Sequence, residues 1–162
     1  MKLVLASTSV YRRELLQRFG LPFEVARPDI DETPLPDEAP QATAERLAVE
    51  KARAVAANFE DALIIGSDQV AHMGTTRFGK PGTVERAIAQ LKTMSGRSVV
   101  FHTALALLNT KTGQVQLEAV PTEVRFRPLT DEEIVRYVER ERPLDCAGSA
   151  KSEGLGITLL DA

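Results

Sequence analysis

The fold is limited first by residues 62–66 (ALIIG), a continuous apolar run that predicts a buried strand. Helical patterns lie on either side of it, at 42–58 and 83–94. Further along, residues 99–108 and 115–126 flank the turn sequence 109–113 (NTKTG) and predict a long hairpin. Because strands and helices interleave but a hairpin is present, the sequence predicts a mixed α/β fold rather than a purely parallel sheet.

The remaining segments complete this prediction. A short helix at 11–19 is expected to begin after the N-cap Ser9 and to turn Leu15, Leu16 and Phe19 inward. Thr130 and Glu133 form a capping box that predicts a helix to residue 139. Strands are predicted at 2–6, 23–26 and 155–160, and Leu47 and Val55 are expected to face the core from the helix at 42–58.

Composition sets the class of protein. The 162 residues are 43% hydrophobic and predict a single domain, 1–162. A net charge of −3 gives no general reason to bind a nucleic acid polymer. The single cysteine, Cys146, fits a reducing compartment, and no signal peptide or long apolar segment is apparent, so we expect a cytoplasmic protein that does not bind membranes.

The junction between the first strand and the first helix is a candidate anion site. Ser7 and Ser9 offer hydroxyl groups beside the free N–H groups of a helix N-terminus, where the helix dipole favours negative charge. Arg12 and Arg13 follow, with guanidinium groups suited to phosphate. The alternative is a capped surface helix that carries two solvated arginines.

Acidic side chains in two regions of the sequence are candidate metal ligands. Residues 28–40 form a proline-rich acidic loop that contains Asp29, Asp31 and Glu32, and carboxylates of this kind can bind Mg²⁺ or Mn²⁺. Acidic loops also serve solubility alone. Asp68 follows the buried strand directly, at the end of the strand where ligands of α/β folds gather.

Two lysines complete the candidate site. Lys80 lies in a Gly-Lys-Pro turn before a helix, and Lys51 lies on the helix at 42–58, where a solvated helix face is the alternative. Together, the basic groups could hold a triphosphate while the acids hold a metal ion that activates water. This chemistry does not by itself identify the substrate.

The order of these motifs resembles the Maf family. The matching segments span nearly the whole chain: Leu5-Ala-Ser-Thr-Ser9, Arg12-Arg13-Glu-Leu-Leu16, Asp31-Glu32-Thr33, Arg46-Leu47 with Glu50-Lys51-Ala52, Gly66-Ser-Asp-Gln69, Gly79-Lys80-Pro81, Leu129-Thr130 with Tyr137-Val138, and Cys146-Ala-Gly148 through Gly154-Leu-Gly156. Ser67-Asp68-Gln69 and Lys151-Ser-Glu-Gly154 look like its subgroup of 7-methyl-GTP pyrophosphatases, the YceF subgroup.

The resemblance implies a Maf/ITPase-like fold, an elongated mixed sheet flanked by helices, with two lobes around a central cleft. It also implies metal-dependent hydrolysis of a nucleoside triphosphate between the α and β phosphates, with Asp68 as the proton acceptor. The implied catalytic positions are Glu32, Lys51, Asp68 and Lys80, with Glu32 and Asp68 as metal ligands. Arg12 matches a phosphate-binding position, to which the residue types described above add Ser7 and Arg13. The implied specificity positions are Tyr11, Gln69 and Glu153.

Elementary electrostatics gives a reason for two of the specificity positions. N7-methylation leaves guanine with a positive charge, which the face of Tyr11 and the carboxylate of Glu153 both favour over a neutral base. The alternative is that these side chains merely line a wall.

Two departures from the family pattern stand out. Val10 replaces the usual proline, and family members continue beyond the position of Ala162 with a Gly-Leu-Pro segment and a final helix. We expect this C-terminal segment to be missing here.

The alternative functions are a pyrophosphatase for dTTP, UTP or other non-standard nucleotides, and a nucleotide-binding regulator of cell division. The family also suggests a homodimer.

Overall fold

The computed structural model describes residues 1–161. Its elements are β1 Lys2–Ala6, α1 Val10–Gln17, β2 Glu24–Ala26, α2 Pro40–Ala56, β3 Ala62–Met73, β4 Thr76–Phe78, α3 Val84–Met94, β5 Ser98–Asn109, β6 Val115–Arg125 and α4 Asp131–Glu141. Two short 3₁₀ helices follow at Ala147–Ser149 and Leu155–Leu159. Within the described range, none of the helices has the length and apolar character needed to cross a lipid bilayer.

The sheet contains both strand directions. Its order is β2-β1-β3-β5-β6, and β4 pairs with β3. β1 runs parallel to β2 and to β3, with Val4 opposite Ile64, whereas β3 and β4 are antiparallel. β5 and β6 form the predicted hairpin, closed by a hydrogen bond from the Gly113 N–H to the Asn109 carbonyl at 2.8 Å. The predicted mixed α/β fold is confirmed.

Residue contacts divide the chain into two compact units. Unit 1 comprises residues 1–69 and 103–120, and unit 2 comprises residues 70–102 and the chain from Pro121 onwards. In unit 1, α2 packs its apolar face on β1 and β3, and Leu47 and Val55 are buried as predicted. The core cluster consists of Val4, Ala6, Ala52, Val55, Ala62, Ile64 and Leu108.

Unit 2 is built around two capped helices. Thr83 caps α3, and the predicted capping box of Thr130 and Glu133 opens α4. Both helices direct apolar side chains into one core, together with strand residues. This cluster consists of Ala71, Phe78, Ala87, Leu91, Met94, Val99, Phe126, Ile134, Tyr137, Val138 and Leu159.

The inward face predicted for the first helix is wrong. α1 ends at Gln17, so Phe19 falls in the following turn, where it is 75% exposed, and Leu15 on the helix is also exposed. Leu16 is half-buried. The predicted N-cap is confirmed, because the Ser9 hydroxyl accepts a hydrogen bond from the Arg12 N–H at 3.3 Å.

The strand predicted at 155–160 is also wrong. The chain forms a 3₁₀ helix there, because the Gly156 N–H turns back to the Lys151 carbonyl at 2.9 Å and the Leu155 N–H binds the Glu141 carboxylate. These backbone groups are therefore not available to a sheet. Leu160 alone makes an isolated bridge, opposite Phe126.

The strand predicted at 62–66 is longer than expected. β3 continues through the polar triplet to Met73, so Asp68 lies within the strand rather than after its end. Each polar side chain of the triplet has a partner: Ser67 donates to the Ala104 carbonyl, Gln69 donates to Thr103, and Asp68 binds Lys51. Polar groups are tolerated in a strand when their hydrogen bonds are satisfied in this way.

Candidate active site

In unit 1, helix α2 and strand β3 pack closely together at Gly66, and this contact positions the candidate site. A Cβ atom on Gly66 would lie 2.0 Å from the Ala48 carbonyl oxygen and 2.9 Å from the Ala52 nitrogen. Only glycine allows the helix backbone to come so near the strand. Asp68 lies two residues further along the same strand and thus on the same face, toward the helix that carries Lys51.

Lys51 joins two carboxylates. Its ammonium nitrogen lies 2.7 Å from Oδ1 of Asp68 and 2.6 Å from Oε1 of Glu32. The side chains of Lys51 and Asp68 are only 9% and 11% exposed, whereas that of Glu32 is 58% exposed. The group therefore has a buried end, formed by Lys51 and Asp68, and an end open to solvent at Glu32.

The acidic loop that carries Glu32 is anchored to α2. Arg46 makes two hydrogen bonds to the Glu38 carboxylate, at 2.7 and 2.9 Å, and donates to the Thr33 carbonyl at 3.3 Å. The Thr43 hydroxyl also donates to Glu38 at 2.6 Å. These hydrogen bonds lower the pKa of Glu38 to about 2. The loop that carries Glu32 lacks regular secondary structure, but these hydrogen bonds attach it to α2.

The first turn of α1 adds a cation beside the two acids. Arg12 is half-buried, and burial lowers its pKa, while the negative charges of Asp68 and Glu32 act in the opposite direction. Just before the helix, the Ser7 hydroxyl is buried and accepts a hydrogen bond from the Ser9 N–H at 3.0 Å. The predicted phosphate position Arg12 thus lies in the electrostatic environment of the predicted metal and catalytic positions.

The surroundings of Asp68 shift the pKa of its carboxyl group upward. Burial raises its pKa above the ordinary value, and the negative charge of Glu32 raises it further. Lys51 and Arg12 counteract this shift by stabilising the carboxylate. A carboxylate with a raised pKa is a stronger base than an exposed aspartate, and the neighbouring cations favour its ionised form.

Other predicted residues of unit 1 occupy different surroundings. Arg13 is exposed and lines a cavity of about 340 Å³ with Gln17, Leu21, Pro22, Phe23 and Val25, on another face of α1 from Arg12. Tyr11 is half-buried on the same helix. Gln69 is exposed, and its amide nitrogen donates to the Thr103 hydroxyl at 2.8 Å.

Two predicted residues belong to unit 2. Lys80 is exposed in the loop between β4 and α3, and Glu153 is exposed in the turn before the second 3₁₀ helix. The Glu153 carboxylate accepts a hydrogen bond from the Ser152 hydroxyl at 3.4 Å. Both side chains are available to a ligand of that unit.

The donor set of the acids suits a hard divalent cation. Glu32 and Asp68 both contact the Lys51 nitrogen, and each of them offers only oxygen ligands. Over residues 1–161, no group of three or more His, Cys, Asp or Glu side chains is arranged to hold a metal ion. A pair of carboxylates fits Mg²⁺ or Mn²⁺, which take their remaining ligands from water and substrate phosphates.

The sequence prediction missed several residues that shape the site. A glycine inside a strand signals a close backbone approach, but the sequence does not identify the approaching helix at Gly66. The pairing of Arg46 with Glu38 likewise depends on the path of the loop. The sequence does indicate a second pairing of Arg46, with Glu50 one helical turn later. In the structure the Arg46 guanidinium donates to the Glu50 carboxylate at 3.2 Å.

Comparisons with known proteins identify the family of the chain. Residues 2–162 match the family model described as Maf-like protein. The chain is 70% identical to a 7-methyl-GTP pyrophosphatase of Aromatoleum aromaticum, over 99% of this chain and 83% of that protein. It is 64% identical to a 7-methyl-GTP pyrophosphatase of Thiobacillus denitrificans, over 98% of this chain and 79% of that protein.

Solved structures show a similar fold. A HAM1 protein from Coxiella burnetii superposes with a TM-score of 0.57 at 21% identity, over 78% of this chain and 73% of that one. The Ham1 protein of Staphylococcus aureus gives a TM-score of 0.51 at 14% identity, over 78% of this chain and 72% of that one. At these identities the likeness concerns the fold alone.

Proposed function

Because the chain belongs to the Maf-like protein family, we propose that it hydrolyses 7-methyl-GTP to 7-methyl-GMP and pyrophosphate. The relatives at 70% and 64% identity carry this activity in their names. The reaction makes the protein a hydrolase acting on an acid anhydride. A single match over residues 2–162 supports treating them as one functional domain.

The observation that carries the proposal is the buried Lys51–Asp68 pair with Glu32 and Arg12 around it. In the reaction, a water oxygen bonds to a phosphorus atom of the α–β anhydride, and the bond to the bridging oxygen breaks. Pyrophosphate and the nucleoside monophosphate separate, and one water proton passes to Asp68. Since Lys51 binds Oδ1 of Asp68, we assign the proton to Oδ2. The raised pKa of Asp68 favours this transfer.

The cations have complementary roles. Lys51 and Arg12 stabilise the ionised form of Asp68, and Arg12 can also bind a phosphate oxygen. We assign the triphosphate to Ser7, Arg12, Arg13 and Lys80.

We also propose that Glu32 and Asp68 hold a divalent cation, Mg²⁺ or Mn²⁺. When bound, such an ion neutralises phosphate charge and lowers the pKa of coordinated water. The exposed position of Glu32 suits an ion that arrives with the nucleotide. The cytoplasmic location and the homodimer remain predictions from the sequence.

Base specificity is assigned to Tyr11, Gln69 and Glu153. In a partly hydrated site, a charge pair at about 4 Å is worth up to ~4 kcal/mol at an effective dielectric constant of 20. Combining Glu153→Gln with Tyr11→Arg removes a favourable charge and adds an unfavourable one. We therefore expect the ratio of kcat/KM for 7-methyl-GTP over UTP to fall several-fold to about a hundredfold.

The test is pyrophosphate release from 7-methyl-GTP, GTP, dTTP and UTP, with and without Mg²⁺ or Mn²⁺. Tyr11→Phe is the matched control, since it keeps the aromatic face and should keep the discrimination. A preference for dTTP or UTP would assign the alternative pyrophosphatase activity. Tight nucleotide binding without turnover would indicate a regulator instead of an enzyme.

A further inference from the structure

Two segments of unit 2 carry exposed residues with a role in the proposed function. Lys80 lies in the loop of residues 79–83, and Glu153 lies in the segment of residues 149–156. Neither segment is held by a strand ladder or an α-helix. The positions of the two side chains therefore depend on what fixes the backbone beneath them.

Gln90, on α3, contacts both segments with one amide group. Its nitrogen donates to the Gly79 carbonyl at 3.0 Å, directly before Lys80. Its oxygen accepts a hydrogen bond from the Ser149 hydroxyl at 2.7 Å. Ser149 is completely buried and has a positive φ of 58°, a conformation that a non-glycine residue keeps only when its surroundings hold it.

Tyr137, on α4, continues the same chain of hydrogen bonds. Its hydroxyl donates to the Ser149 carbonyl at 2.8 Å and accepts from the Lys151 N–H at 2.9 Å. Burial raises the pKa of Tyr137 to about 12, so the phenol stays protonated and keeps both bonds over the ordinary assay range. One hydroxyl thus fixes the backbone on either side of residue 150.

The far end of the Glu153 turn is fixed by the same helix. The Glu141 carboxylate accepts from the Leu155 N–H at 2.9 Å and lies 3.5 Å from the Lys151 ammonium group. A Cβ atom on Gly154 would come within 2.9 Å of the Glu141 oxygens, so the turn packs directly on this carboxylate. Glu153 consequently lies between two points anchored to α4.

We propose that Gln90 and Tyr137 are positioning residues that link the Lys80 loop to the Glu153 segment through one hydrogen-bond network. The network runs from the Gly79 carbonyl through Gln90, Ser149 and Tyr137 to the Lys151 N–H. The proposal rests on the proposed function for the roles of Lys80 and Glu153. Its consequence is that a change at Gln90 or Tyr137, neither assigned to the nucleotide, alters base discrimination.

The test compares two network variants with one matched control. Gln90→Glu keeps an acceptor for Ser149 but cannot donate to the Gly79 carbonyl. Tyr137→Phe removes both bonds of the phenol. Ser95→Ala is the control, because the Ser95 hydroxyl accepts from the Leu129 N–H at 2.8 Å and thus also connects a helix to a loop of unit 2, outside the network.

We expect both network variants to lower the ratio of kcat/KM for 7-methyl-GTP over UTP by about three- to tenfold, since small displacements of a recognition group reduce selectivity. Ser95→Ala should lower the Tm but leave the ratio unchanged. The combined Gln90→Glu, Tyr137→Phe variant should lose less than the product of the single losses, because both act through Ser149. Full independence of the two effects, or unchanged ratios with a lower Tm, would overturn the proposal.

Hydrogen exchange separates this proposal from the proposed function. If the wild-type protein hydrolyses no nucleotide, the proposed function fails, and the network is then judged by amide exchange alone. Each network variant should speed exchange in both segments, 79–83 and 149–156, whereas Ser95→Ala should speed it in neither. Acceleration confined to one segment would show that the two are not linked and would refute the inference.

Discussion

The close approach at Gly66 makes a quantitative prediction for Gly66→Ala. The new methyl group would lie 2.0 Å from the Ala48 carbonyl oxygen, whereas ordinary contact begins at 3.4 Å. The α2 backbone must therefore move away by about 1.4 Å, because a packed interior has no free volume to absorb the methyl group. We expect a loss of about 3 kcal/mol or more, at or above the upper end of the usual effect of overpacking.

For a domain of this size, that loss corresponds to a fall of roughly 6–12 °C in Tm, measured by differential scanning calorimetry. Gly79→Ala is the control, since its Cβ would meet no atom within 4 Å. Its stability should stay within about 0.5 kcal/mol of the wild type.

The same displacement separates Lys51 from Asp68, which are now 2.7 Å apart. Turnover of Gly66→Ala should therefore drop at least about tenfold at a temperature where the variant is fully folded. A Tm within about 2 °C of the wild type, or full turnover in the folded variant, would refute the reasoning.

Two further predictions concern single carboxyl groups. Asp68→Asn should lower kcat more than tenfold, which corresponds to an increase of ~1.4 kcal/mol or more in the activation free energy. Nucleotide binding, measured by calorimetry, should persist. A variant that keeps more than about a tenth of the wild-type kcat would show that Asp68 is not the base. The low pKa of Glu38, about 2, stabilises the fold at pH values above the ordinary glutamate pKa, and this stabilisation is lost as the pH falls through about 2. Urea titrations between pH 6 and pH 2 should show this loss in the wild type but not in Glu38→Gln.

Much of the fold follows from local patterns in the sequence. The strand at Lys2–Ala6 and the capping box of Thr130 and Glu133 need only neighbouring residues, and both are present as predicted. The segment 155–160 was assigned wrongly because its side chains suit a strand. There, the decisive interactions are the Glu141 carboxylate and the Lys151 carbonyl, and the sequence does not show that they come near.

The sequence gives the residue types of the candidate site but not the contacts between them. Lys51 on a helix would ordinarily be solvated, yet it is buried against β3 because Gly66 lets the helix approach. Asp68 was expected after a strand and instead lies within one, where Lys51 satisfies its charge. Both facts depend on distances across the fold, which a single sequence does not contain.

Variants of the buried Lys51–Asp68 pair can show separately what its charges contribute to stability and to activity. Removing Lys51 alone, as in Lys51→Met, leaves Asp68 without the partner at 2.7 Å and should destabilise the fold by about 3 kcal/mol. Replacing both, as in Lys51→Met with Asp68→Leu, removes two desolvated charges and should restore stability to within about 1 kcal/mol of the wild type, or exceed it.

Both variants should be inactive in the pyrophosphate release assay. Urea denaturation of the wild type, the single variant and the double variant gives the free energy of unfolding of each. If the double variant is no more stable than Lys51→Met, the pair contributes to the fold itself. If its stability recovers while activity is absent, the charges are retained in the core for their chemistry rather than for the structure.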